Sequence, residues 1–199
     1  MKRFSLVLSL LAVSALAVAP LAYAAKFNKK VEIGQAAPDF KGLKGTDGKE
    51  YSLDGFKDAK ALVLVFTCNR CPMAVAYEDR MIDLQKKYGE KGVQLLAINC
   101  NTGEGLDAMK ERADSKGFNF PYVLDESQQS GKDFGATVTP HVFILDGERK
   151  IAYMGSLDDN MDDSKVQKHH VADALAAILD GKAPVTTETR QFGCGIRYQ

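Results

Sequence analysis

Histidine is scarce in this chain, with His141, His169 and His170 alone among 199 residues, and cysteine is held to Cys68, Cys71, Cys100 and Cys194. A structural zinc site needs two Cys/Cys or Cys/His pairs at ligand spacing, and only Cys68 and Cys71 are so placed, which argues against zinc. Neither sign of charge is in excess, since 26 Lys and Arg stand against 26 Asp and Glu. Without a basic field there is no electrostatic footprint for nucleic acid. Repeats and low-complexity tracts are lacking, and no segment beyond residue 24 is apolar for long enough to span a bilayer. What remains suits one domain with an adequate core.

The single long apolar stretch is N-terminal. Lys2 and Arg3 precede Phe4 to Ala19, and Ala22-Tyr23-Ala24 offers a small-residue cleavage site, the layout of a secretory signal peptide. No cysteine lies near the cut, which argues against a lipid anchor, whereas an uncleaved anchor is the alternative because the stretch approaches the length of a span. Cleavage after Ala24 removes Lys2 and Arg3 and leaves 24 basic against 26 acidic residues, a net charge of about −2. The expected location is periplasmic or secreted, where disulfides persist. The chain then divides into a signal (1–24), a domain (25–181) and a tail (182–199) carrying Cys194.

Inside the domain, 61–66 reads Ala-Leu-Val-Leu-Val-Phe, an unalternated apolar run expected of a parallel strand buried on both faces. Ala74, Tyr77, Met81, Leu84 and Tyr88 then recur at helical spacing, predicting a helix from about 69 to 88. A hairpin is expected over 45–53 around Asp47-Gly48. Further strands are expected at 93–98 and 120–124, with a helix at about 104–116 between them. A short helix capped by Asp125 and Gln128 should end near Gly135. A hairpin should pair 142–145 with 150–154, and a last helix should run from about 166 to 180. Strands alternating with helices and closing on a hairpin and a helix imply an α/β fold with a mixed sheet.

Cys68-Asn69-Arg70-Cys71-Pro72 falls where the first buried strand should meet its helix. Two cysteines three apart at such a junction form a redox motif, in which one sulfur attacks and the other resolves. Cys68 is expected at the helix N-terminus, where free amides and the helix dipole favour a thiolate, with Cys71 one turn on as the resolving sulfur. Arg70, lying between them, should add a favourable charge.

The chain resembles thioredoxin-fold redoxins of the alkyl hydroperoxide reductase/thiol-specific antioxidant superfamily. More narrowly, it is similar to the exported subgroup with a Cys-Asn-x-Cys-Pro motif. The matching segments are Gly34 to Phe40, Phe66 to Pro72, Ala76 to Arg80, Gly117 to Tyr122, Asp125 to Ser127, Thr139-Pro140, Leu157 to Asp159 and Gly193 to Ile196. The resemblance implies a thioredoxin-like fold with a mixed central sheet flanked by helices on both faces. It also implies a cis-proline at Pro140 beside the redox pair, leaving the Thr139 backbone free to bind an extended substrate. The plain alternative is a trans proline at a strand start. Thr67, Arg70, Thr139 and Pro140 are the expected substrate-binding residues.

The expected activity is thiol-disulfide exchange with a protein or small-molecule thiol or disulfide and an unidentified redox partner, without a cofactor. Peroxidase chemistry is the alternative. It needs a Pro-x-x-x-Thr-x-x-Cys frame, which fits neither cysteine: Leu64 and Cys68 fill the Pro and Thr places for Cys71, and Val65 the Thr place for Cys68. A second alternative is copper handling in the manner of Sco-type chaperones, with Cys71-Pro72, Met73 and His141 as soft and imidazole donors. Those chaperones put three residues between their cysteines, and here there are two.

Cys100 and Cys194 are expected to bridge each other, which in the chain-entropy model would contribute about 4–5 kcal/mol, with a relay to the redox pair or two free thiols as the alternatives. Asp158 to Asp163 lacks the spaced calcium loop and its terminal Glu, and reads as a solvated acidic loop. His169 and His170 should point apart at the start of the last helix.

Overall fold

The computed structural model describes residues 25–199, so the expected signal peptide lies outside the described residues. Three strands make the centre of the sheet: β3 (Ala61–Phe66), β4 (Val93–Asn99) and β7 (His141–Leu145). β3 runs parallel to β4, with Val63 opposite Leu95, and antiparallel to β7, with Leu64 opposite Phe143. β5 (Tyr122–Leu124) continues the parallel run beyond β4. The hairpin β1 (Leu43–Gly45) and β2 (Glu50–Tyr51) finishes that edge, and β8 (Ile151–Gly155) finishes the other. The order is β2-β1-β5-β4-β3-β7-β8, a mixed seven-stranded sheet.

The two-sided burial follows from the strand period of two. Ala61, Val63 and Val65 of β3 face one core, while Leu62, Leu64 and Phe66 face the other, and all six are fully buried. Burying each larger side chain contributes roughly 1.5–3 kcal/mol. The first core is closed by α2 (Glu78–Tyr88), α3 (Leu106–Lys116) and α5 (His170–Leu179), through Met81, Met109 and Leu175 among others. The second is closed more thinly, by α4 (Gln129–Phe134), a 3-10 turn at Leu53–Phe56 and the lead-in residue Val31. No helix of the described residues is long and apolar enough to cross a membrane.

Three expectations shift. The helix after β3 starts later, as α1 (Pro72–Ala76), and is interrupted at buried Tyr77 before α2. Asn69 and Arg70 give their amides to Glu104 instead of entering the helix, and Pro72 fits its first position, where an N–H would be spare. Asp125 caps α4 through Ser130, but Gln128 takes a left-handed backbone and turns its side chain to the Cys100 and Arg197 carbonyls. Finally, the tail is not a loose appendage. Cys194–Gly195 form strand β9, paired with β6 (Val138–Thr139) as a separate two-stranded sheet.

Candidate active site

β3 delivers Thr67 and Cys68 just past the end of the sheet, and the α1 cap delivers Cys71. β7 follows directly on the Thr139-Pro140 peptide, which is cis. These segments converge because Phe66 of β3 is paired with His141 of β7, leaving the loops that extend from them side by side. The Cys68 sulfur is 3.4 Å from Thr139 Oγ1, and the Cys71 thiol donates to the Thr139 carbonyl at 3.0 Å. Cys68, Cys71 and Ala74 form a small buried cluster against which Met73 and Cys194 pack. All four cysteines are free thiols.

Cys71, not Cys68, occupies the helix cap, its sulfur accepting the Ala74 amide at 3.4 Å. The electrostatics follow. Burial pushes the Cys68 thiol up, and Glu104 adds to this; the Thr139 hydroxyl and the Cys71 amide only partly offset them. Burial also opposes ionisation of Cys71, but the facing Cys194 thiol, the Ala74 amide and Thr139 outweigh it and hold Cys71 below the ordinary thiol value. The Thr139 carbonyl works the other way, since it accepts only from a protonated sulfur. In this state the thiol held below the ordinary value is that of Cys71, and that of Cys68 lies above it.

The remaining expected site residues divide. Thr67 is buried and its amide extends the ladder to the Ile98 carbonyl, so it shapes the strand end. Arg70 is exposed with Nη1 against Gly103, while burial, Thr139 and Glu104 are the main influences on Cys68. The Thr139 backbone is not free, because β9 is paired to it in the register Thr139 opposite Cys194. Cys100 lies in the second core, where burial raises its thiol to about 12, and Tyr198 is its neighbour. Cys194 belongs with the redox pair, so the structure does not bring Cys100 and Cys194 together as a bridge. His141 is buried against Phe143 with Nδ1 unpartnered, and burial lowers it to about 3. Among the described residues no group of three or more His, Cys, Asp or Glu side chains is disposed to hold a metal ion.

Sequence reasoning missed Glu104. Its carboxylate takes the Asn69 amide at 2.8 Å, the Arg70 amide at 3.0 Å and the Asn99 side chain at 2.8 Å, while the Tyr122 hydroxyl donates to Asn69 Oδ1 at 3.0 Å. These bonds set the path of the loop between the cysteines. The acidic loop is also less solvated than expected, since Asp158 is buried, paired with Arg80 and bonded by the Tyr77 hydroxyl.

The Redoxin family model matches residues 32–174. Thiol-disulfide oxidoreductase ResA of Bacillus subtilis (strain 168) is 31% identical over 146 residues, covering 70% of this chain and 78% of that protein. The crystal structure of a hypothetical protein from Sinorhizobium meliloti 1021 matches with a TM-score of 0.80 and 32% identity, over 86% of this chain and 97% of that one. That of an uncharacterized conserved protein from Geobacillus kaustophilus matches at 0.78 and 31%, over 84% and 92%.

Proposed function

From the premise that this chain belongs to the Redoxin family, we propose that it is a thiol-disulfide oxidoreductase working through Cys68 and Cys71. The observation that carries this reading is the convergence of both sulfurs on Thr139, at 3.4 and 3.0 Å, beside a cis-proline. Cys68 attacks a substrate disulfide, forming a mixed disulfide and releasing one substrate thiolate. Cys71 then attacks Cys68, releasing the second thiolate and closing the Cys68–Cys71 bond. Cys68 is the less covered of the two sulfur-bearing residues and meets the substrate first. The lowered thiol at Cys71 suits the second step, in which it must act as the nucleophile. Run backwards, the same steps oxidise a dithiol.

We place the protein outside the cytoplasm, in the periplasm or secreted, on the signal-like segment at residues 1–24. Its partners are protein or small-molecule thiols and disulfides.

The test is reduction of a small disulfide by the reduced protein in stopped flow, beside the same protein with hydrogen peroxide. Disulfide exchange should be fast and peroxide consumption slow. Cys71→Ser should stall as a mixed disulfide at Cys68, and Cys68→Ser should lose turnover. Rapid peroxide consumption dependent on Cys68 would make the protein a peroxidase.

A further inference from the structure

The strand beside Thr139 is the edge at which an extended substrate would pair, and this protein fills it with its own tail. β9 lies antiparallel to β6 with Cys194 opposite Thr139, and the Ile196 amide donates to the Thr137 carbonyl at 3.0 Å. Facing residues in such a pair have Cα atoms about 4.5–5.5 Å apart. The approach at the preceding residue is closer still, because a Cβ on Gly193 would stand 2.2 Å from the Thr139 carbonyl oxygen. Only glycine lets the tail settle there.

Both flanks of β9 are anchored. Upstream, the Phe192 ring packs at 6.4 Å from Tyr77. Downstream, Tyr198 donates to the Ala136 carbonyl at 2.6 Å, and Gln128 holds the tail by accepting the Gln199 amide at 2.7 Å and donating to the Arg197 carbonyl at 2.9 Å. The tail thus holds Cys194 against the redox pair. Cys68 and Cys71 are only 7% and 3% exposed, whereas Cys194 is partly open to solvent. Of the three clustered sulfurs, the tail sulfur is the one at the rim.

We propose that Cys194 is a third redox residue, which takes over the disulfide from the Cys68–Cys71 pair by bonding to Cys71. The step rests on the oxidoreductase reading above. The Cys194 thiolate attacks the Cys71 sulfur; the Cys71–Cys194 bond forms and the Cys68–Cys71 bond breaks. The electron pair of the broken bond leaves on Cys68, which takes up the proton that Cys194 gave. Two thiols' worth of oxidation moves from one pair to another, so no further oxidant is consumed. In the reduced protein Cys194 is raised to about 11, first because it faces Cys71 as a donor and then by burial. Once Cys71 is in a disulfide it carries no charge, and the first of those causes disappears. The outcome is a disulfide carried from a covered pair to a half-open one.

Peptide mapping after acid quench and alkylation tests the step. Reduced protein is oxidised with a stoichiometric amount of cystamine. Oxidised wild-type protein should contain both Cys68–Cys71 and Cys71–Cys194 bonds, with Cys68 alkylated in the second population. Cys194→Ser should give Cys68–Cys71 alone and leave Cys68 unalkylated. Cys68→Ser treated with diamide should close Cys71–Cys194 within one chain, at least tenfold faster than Cys71→Ser closes any bond to Cys194. If Cys68→Ser yields only Cys71 adducts or dimers, or if wild-type protein forms Cys68–Cys71, exchanges it with substrate and never shows Cys71–Cys194, the tail step is wrong and the oxidoreductase reading stands. Protein that forms neither bond overturns that reading instead.

Discussion

Neutralising Glu104 changes two things at once. Its charge raises the Cys68 thiol, so Glu104→Gln should move the midpoint of Cys68 alkylation by iodoacetamide to lower pH, read site by site by mass spectrometry. A midpoint that stays put or climbs would show that burial alone sets Cys68. Its oxygens also hold the Asn69 and Arg70 amides, and hydrogen bonds to a charged group contribute about 1.5–3 kcal/mol, so Glu104→Ala should lose stability of that order in urea unfolding. The two cysteines were legible from their own spacing and from the apolar run before them. Glu104 was not, because its partners in the cysteine loop are 34 and 35 residues away and only the fold brings the loop after β4 against the loop after β3. Arg70 carried a local signal only, since adjacency in sequence does not say which way a long side chain turns, and its side chain is exposed.

Among the elements, the interrupted helix α1–α2 is tied down from outside itself. Arg80 spans from α2 to the acidic loop, pairing with Asp158 and bonding the Asn160 and Met161 carbonyls, with its guanidinium 4.1 Å from the Tyr77 ring. The Asp158 side chain is 2% exposed, so Arg80→Ala leaves a buried carboxylate uncompensated and should cost about 3–5 kcal/mol in urea unfolding. A loss below about 1 kcal/mol would mean that water reaches Asp158 once the arginine is gone. The buried strands could be read directly, β3 to the residue, because a sheet covered on both faces writes itself as a continuous apolar run. The start of α1 could not, since its apolar period continues the run of contacts while the backbone amides before Pro72 are diverted to Glu104. β9 could not either: two residues within Gly-Cys-Gly carry no strand pattern, and their pairing depends on an edge that β6 presents.

At the scale of the molecule, the tail and the site are one unit. Gly193→Ala should drive a Cβ into the Thr139 carbonyl and unseat β9, making Cys194 and Cys68 react faster with iodoacetamide while the melting of the sheet changes little. Unchanged alkylation would place the hold on the tail at Gln128 and Tyr198 instead. The overall charge is balanced, 26 against 26 in the full chain, so the protein has little long-range field with which to steer a charged partner. What an incoming molecule meets last is then local: a carboxylate near the first sulfur, with the Asn69 and Arg70 amides already taken up by it. Those amides would otherwise welcome an anion. Cationic disulfides such as cystamine should therefore react several-fold faster than glutathione disulfide or dithiodipropionate. The gap should narrow as salt approaches about 1 M, where screening reaches only about 3 Å. An acidic disulfide would then be the poorer substrate for this site and a basic one the better, a selection made by the loop rather than by the molecule's overall charge.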